Sequence, residues 1–330
     1  MGMTFRLATV LTMLVVAVTT SGGEVLAAAP PLQYVNDPAA AGSGAIILDT
    51  RPARECEKQS LAGARCLPAA DFLGPHDRLA GFAAIAWVLG SAGLNGGRSV
   101  LVVGDDPLKR DFVAGLLYLM GQARVSILTR RLKAAGLPFA PGKERAMTRL
   151  VIWQAPARTN ALVLGNELRA LLASRPGPVV LDGRSEKAYW GEAVNAARGG
   201  HIAGADHLPA ARLRADVAGG KALGPQTEDA IVYARNAVDG IAYMTLITAG
   251  TGMRVRVYPG GWDEWAADGG LPADAVSYPM PAPLSKPPAS AAAPAPVPWR
   301  YVVATGVMGM FLGIVLAVAA LRTFKPRRTV

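Results

Sequence analysis

Short apolar runs separated by segments of helical period occur along two stretches of this 330-residue chain. Residues 45–48, 100–103 and 125–128 read as strands in the first stretch, and 179–181, 231–233 and 255–258 in the second. Between them, Leu79, Phe82, Ile85 and Ala86 recur at helical spacing within 78–90, and 111–120 and 240–249 also read as helices. Apolar strands alternating with helices imply an α/β fold in which each stretch is a small parallel sheet covered by helices on both faces. The stretches, 45–137 and 161–271, are each roughly 95–110 residues, enough for one hydrophobic core.

The two ends read differently. Residues 302–321 contain no charged side chain, and about twenty such residues cross a bilayer core. Trp299 and Tyr301 stand at the start of this run, where amphipathic rings favour the headgroup layer, and Arg322, Lys325, Arg327 and Arg328 follow it. Residues 299–321 are therefore expected to be a C-terminal transmembrane helix and 322–330 a basic cytoplasmic tail. Gly309 and Gly313 form a small-residue row that would let two such helices approach as a homodimer; a lipid-facing row is the alternative. At the other end, Arg6, the apolar stretch 7–18 and the small residues Val25 and Ala27 predict a signal peptide over 1–27, with cleavage after Ala28 or an uncleaved anchor as the alternatives. The folded part is then expected outside the cytoplasm, on the outer side of the inner membrane in the periplasm.

Linkers divide what lies between. Residues 28–44 are rich in Pro, Ala and Gly and expected to be loosely held, and 138–160 separate the two stretches. Residues 272–298 hold nine prolines, a composition that favours an extended stalk. The formal net charge is +10; four positive charges lie in the tail and one is Arg300, which leaves five over the exported part. A spread of that size bears on solubility and does not indicate a nucleic-acid partner.

One pattern occurs in both stretches. The first reads Asp49-Thr50-Arg51, then Gly63-Ala64-Arg65-Cys66-Leu67-Pro68, then the strand 100–103; the second reads Asp182-Gly183-Arg184, then Gly204-Ala205-Asp206-His207-Leu208-Pro209, then 231–233. Gly260-Gly261-Trp262-Asp263-Glu264-Trp265 closes the second stretch. This order resembles a tandem pair of rhodanese (sulfurtransferase) domains, of which the second is the better match. The resemblance implies a six-residue loop after the central strand, commonly Cys-x-x-Gly-x-Arg, whose backbone amides and following helix hold an anion and lower the pKa of the cysteine. Here the loops are Gly104-Asp105-Asp106-Pro107-Leu108-Lys109 and Ala234-Arg235-Asn236-Ala237-Val238-Asp239. Gly104 and Ala234 occupy the nucleophile position, and Asp239 stands where the family has an arginine.

Asp105, Asp106 and Pro107 are expected to start a helix in the ordinary way, and Arg235 to point either into the loop pocket or into solvent. The Asp-x-Arg pairs are expected to be structural, each aspartate bonding loop backbone and its arginine pairing nearby. Cys56 and Cys66, ten apart in an exported chain, most simply form a disulfide; two buried thiols or a sulfur relay are the alternatives. His76, His201 and His207 suggest no metal site, and no cofactor is expected. The resulting expectation is a non-catalytic binding or scaffolding module acting on an unknown protein partner in the cell envelope. The alternative is a thiosulfate sulfurtransferase or sulfur carrier using Cys56, Cys66 or a partner's thiol.

Overall fold

Apolar runs become central strands because nothing in them requires water. Val100-Leu101-Val102-Val103 and Val125-Ser126-Ile127-Leu128 are buried along their whole lengths. The structure, a computed structural model, describes residues 30–221 and 228–276. In chain order the first half runs β1 (Leu32–Val35), β2 (Ile46–Asp49), α1 (Ala53–Lys58), β3 (Ser60–Leu61), β4 (Arg65–Cys66), α2 (Phe82–Ser91), β5 (Val100–Val103), α3 (Pro107–Leu119), β6 (Val125–Leu128) and β7 (Phe139–Ala140). The second half runs α4 (Gly165–Ala173), β8 (Val180–Asp182), α5 (Glu186–Tyr189), β9 (His201–Ile202), β10 (Asp206–His207), α6 (Ala210–Ala218), β11 (Ile231–Tyr233), α7 (Ala237–Thr251), β12 (Arg256–Val257), α8 (Gly261–Ala267) and β13 (Ala273–Asp274).

The first sheet has the order β1-β6-β5-β2-β4 and the second β10-β8-β11-β12. Every neighbouring pair in both is parallel. Without β1 the two orders correspond strand for strand, and each half adds a short antiparallel pair, β3 with β7 and β9 with β13. Register aligns Asp49 with Val103 in one sheet and Asp182 with Tyr233 in the other, so each Asp-x-Arg turn emerges beside the loop that follows the central strand.

The two sheets meet through α3 and α7. Gly115 makes this crossing close: a Cβ there would lie 2.3 Å from Thr245 Oγ1 and 2.6 Å from an Ile241 methyl. A helix-interior glycine costs about 0.5–1 kcal/mol relative to alanine, a penalty offset here by core shared between the halves. Phe112, Leu116, Ile241 and Tyr243 belong to one continuous cluster of buried side chains. Residues 30–276 accordingly fall in one compact unit.

Three segments differ from the expectation. The stretch 28–44 contains β1, because Leu32 and Val35 are apolar enough to bury against the sheet edge, in register with Val125 and Leu128. Residues 138–160 run along the first half: β7 pairs with β3, the Lys143 amide donates to Ala64 O, and the Leu150 amide donates to Gly90 O. The Pro-rich segment begun at 272 has its first residues in β13, which pairs with β9. The expected signal peptide (1–27), most of the stalk, the transmembrane run (302–321) with Gly309 and Gly313, and the basic tail lie outside the described residues. No helix among the described residues is long and apolar enough to cross a membrane.

Candidate functional site

Backbone-facing carboxylates fix both Asp-x-Arg turns. Asp182 is fully buried; its Oδ1 accepts the Arg184 amide at 2.8 Å, and both oxygens accept the Arg184 guanidinium, the shortest contact being 2.6 Å. Tyr233 Oη donates to Asp182 Oδ2 at 2.7 Å and accepts the Ile202 amide at 3.1 Å, and Arg184 also donates to Gly200 O at 2.7 Å. A buried ion pair of this kind is tolerated because its remaining donors and acceptors are filled. Burial and the adjacent Asp182 charge push the Tyr233 hydroxyl well above the ordinary tyrosine range. The first half repeats the scheme with a different third member: Asp49 pairs with Arg51 at 2.7 Å, and Ser60 Oγ donates to Asp49 Oδ2 at 2.6 Å. In both turns the aspartate bonds loop backbone and its arginine pairs with it, the arrangement the resemblance implied.

The loop after β11 starts at buried Ala234. Asn236 caps α7, its Oδ1 accepting the Asp239 amide at 3.1 Å. From outside, α8 clamps the loop: the Trp262 amide donates to Ala234 O and the Asp263 amide to Arg235 O, each at 2.9 Å. Gly261 permits this approach. It has φ +59°, and a Cβ there would lie 2.6–2.7 Å from those two carbonyl oxygens. The Gly-Gly-x-x-x-Trp sequence thus shapes the loop, while Trp265 is buried in the second half's own core.

A pocket of about 210 Å³ opens at this loop, lined by Gly183, Arg184, Ala234, Arg235, Asp239 and Tyr243, with Leu108 and Arg214 reaching it. Leu108 comes from the other loop, so the structure brings the two expected sites to one seam. Arg235 lines this pocket and also pairs with Asp263 at 3.4 Å. Arg184 pairs with Asp182 and Arg214 with Asp111, each at 2.6 Å. Each lining cation thus lies beside a carboxylate, Arg214 sharing Asp111 with Arg110, and Asp239 adds one more negative group. Burial raises the Asp239 carboxyl pKa, Arg235 opposes the shift, and Asp263 adds to it. The lining therefore contains no thiol, and its guanidinium groups all lie beside carboxylates.

The loop after β5 is occupied by helix-start chemistry. Asp106 Oδ1 accepts the Leu108 amide at 3.0 Å, Pro107 opens α3, Lys109 lies 3.6 Å from Asp106, and Asp105 accepts the Leu132 amide at 3.2 Å. Gly104 is buried beside Thr50. In the second loop, Ala237 and Val238 form the first turn of α7.

Cys56 and Cys66 are bonded to each other and are 0% and 2% exposed, between α1 and β4. Gly142 packs on both sulfurs; a Cβ there would lie 2.5 and 2.7 Å from them. Neither cysteine lines the loop pocket. His201 and His207 are held by stacking on either side of the Tyr189 ring, with centroids 3.6 and 4.5 Å away. Among the described residues no three His, Cys, Asp or Glu side chains converge as a metal-binding group.

Thr50, Tyr243 and the group of Tyr34, Asp111 and Arg214 were not singled out by sequence reasoning. The strand-aligned tyrosine Tyr233 carried a weak signal, a polar hydroxyl inside an otherwise apolar strand. Thr50 and Tyr243 lie against Gly104 and Gly183 within their own halves, and Arg214 reaches Asp111 across the seam.

The parallel α/β layers, the Asp-x-Arg turn and the clamped loop define a class of fold, and comparison with known proteins agrees with it. Residues 165–268 match the model of the rhodanese-like domain and form such a domain. A thiosulfate sulfurtransferase of Azotobacter vinelandii is 30% identical over 184 residues, 52% of this chain and 55% of that protein, so the chain spans about half the length of the curated relative it matches. The crystal structure of a probable thiosulfate sulfurtransferase superposes with a TM-score of 0.53 at 24% identity, over 71% of this chain and 98% of that one. An anaerobic ergothioneine biosynthesis enzyme from Chlorobium limicola, solved with its natural substrate trimethyl histidine, gives 0.58 at 16% identity over 77% and 67%. At these identities the structural likeness establishes the fold.

Proposed function

We propose that this chain is a tandem rhodanese-like protein in which both sites have lost sulfur transfer and which acts as a binding or scaffolding module, tethered to the cell envelope by its C-terminal apolar run. The observation that carries the reading is Ala234: the residue at the head of the clamped loop has no nucleophile, and the pocket beside it has no cation without a carboxylate partner. Gly104 repeats the loss in the other half. The bonded, buried cysteines favour an exported location and leave no free thiol to replace the missing one. The ligand is a protein partner docking over the seam, where Leu108 and the second loop meet.

Sulfur transfer through a partner's thiol is the second reading, drawn from the relative named a thiosulfate sulfurtransferase. A thiosulfate:cyanide assay on the full-length protein, with mass spectrometry of Cys56 and Cys66, separates the two. The binding reading expects no turnover above the protein-free rate and no persulfide. Turnover by the purified protein, or a persulfide on either cysteine, would overturn it; turnover only when a thiol-bearing partner is added would establish the second reading.

A further inference from the structure

On the other side of Arg214 lies a larger cleft of about 400 Å³, lined by Tyr34, Pro107, Arg110, Arg214, Val217 and Leu246 among others. Its charge balance is the reverse of the loop pocket's. Asp111, fully buried, accepts Tyr34 Oη at 2.9 Å, Arg214 Nη1 at 2.6 Å, and Arg110 Nε and Nη2 at 3.3 Å. One carboxylate therefore serves two guanidinium groups, and neither meets a second carboxylate among the described residues. Arg110 is only 6% exposed. Tyr34 supplies no countercharge, because burial and the Asp111 charge hold its hydroxyl in the neutral form.

A positive charge in excess within a partly desolvated cleft is costly unless an anion joins it. Guanidinium groups suit a planar carboxylate in particular, which they can grip through two parallel hydrogen bonds. Pro107, Val217 and Leu246 add an apolar wall, and the volume falls in the range of small-ligand sites. We propose that the cleft between the two halves binds a small monocarboxylate, its head group completing the Arg110–Asp111–Arg214 cluster and a short aliphatic body lying against Val217 and Leu246. The proposal does not depend on whether sulfur transfer has been lost, since the cleft shares only Arg214 with the loop pocket.

The test is calorimetric titration of the full-length protein with acetate, butyrate and hexanoate, and with hexanol as the uncharged control. Saturable binding that tightens with chain length, with none for hexanol, is expected. Arg214→Gln should weaken it at least tenfold. Arg214 supports Asp111, so Ala218→Trp, at an exposed position on the cleft wall, provides the variant that blocks the site and leaves the ion cluster intact; it too should weaken binding at least tenfold. Absence of saturable binding by any of the three acids up to about 10 mM, equal binding of hexanol, or unchanged binding in Ala218→Trp would overturn the proposal.

Discussion

Thr50 and Gly104 exclude each other's side chains. A Cβ at position 104 would lie 2.3 Å from Thr50 Oγ1, whose hydroxyl donates to Val103 O at 3.2 Å. In the second half the corresponding residues are Gly183 and Ala234, and there the side chain is on the loop. Gly183 in turn leaves room for Tyr243, whose ring would lie 2.7 Å from a Cβ at 183. The two halves thus fill the space between turn and loop from opposite sides. Gly104→Cys should destabilise the protein by about 1–3 kcal/mol through overpacking, and Thr50→Gly in the same chain should recover most of the loss. Ala234→Cys should be far better tolerated, because a Cβ is already accommodated. Urea denaturation of the three variants beside wild type checks the asymmetry.

Placing a thiol at 234 should not by itself create a reactive one. Asp239 lines the same pocket and the cations there are paired, so the thiol pKa in Ala234→Cys should lie at or above the ordinary value of about 8.5. Adding Asp239→Arg should lower it. The pH dependence of alkylation by iodoacetamide reads both values; a thiol already depressed in the single variant would contradict the charge balance described for this pocket.

Asp239 also predicts a pH dependence of stability. Its carboxyl is raised in the folded state, chiefly by burial, so folding favours its protonated form. That contribution is fully present below the unfolded-state pKa, about 4, and is lost as pH rises through the higher folded value. Wild type should therefore lose stability relative to Asp239→Asn as pH rises from about 3 toward neutrality. Parallel thermal melts across that range give the slope, and a slope of the opposite sign would refute the burial argument.

Tyr233→Phe removes the hydroxyl that bridges Asp182 Oδ2 and the Ile202 amide. Two buried groups then lose a partner, and a loss of about 2–6 kcal/mol is expected at about 1–3 for each group. Denaturant titration measures it.

The Cys56–Cys66 bond closes a loop with a sequence separation of ten. Its removal in the double Cys→Ser variant should cost about 2–3 kcal/mol on the chain-entropy scale. Chemical denaturation reads that loss directly. A full-length double variant that binds its partner as tightly as wild type would show that the bond serves stability alone.

Much of the fold was legible because its signals are local. Val100–Val103 and Ile231–Tyr233 are apolar without interruption, and Asp-x-Arg fixes its own turn over two residues, so the strands, the turns and the absence of a loop cysteine at 104 and 234 could be read directly. The residues that match the rhodanese-like domain, 165–268, lie in the half that has the closing Gly-Gly-x-x-x-Trp sequence. Other features required tertiary structure. β1 is a four-residue strand in a segment rich in Pro, Ala and Gly, and it exists because β6 offers an open edge. The pairing of Arg184, Arg214 and Arg235 with Asp182, Asp111 and Asp263 decides the charge of the loop pocket; only the first pair is close in sequence, and Arg214 on α6 meets Asp111 on α3 across the seam between the halves. Sequence determines which groups a site can contain. The long-range packing of the two halves determines which of those groups are neutralised and which keep a charge in excess, because electrostatic balance depends on distance and burial.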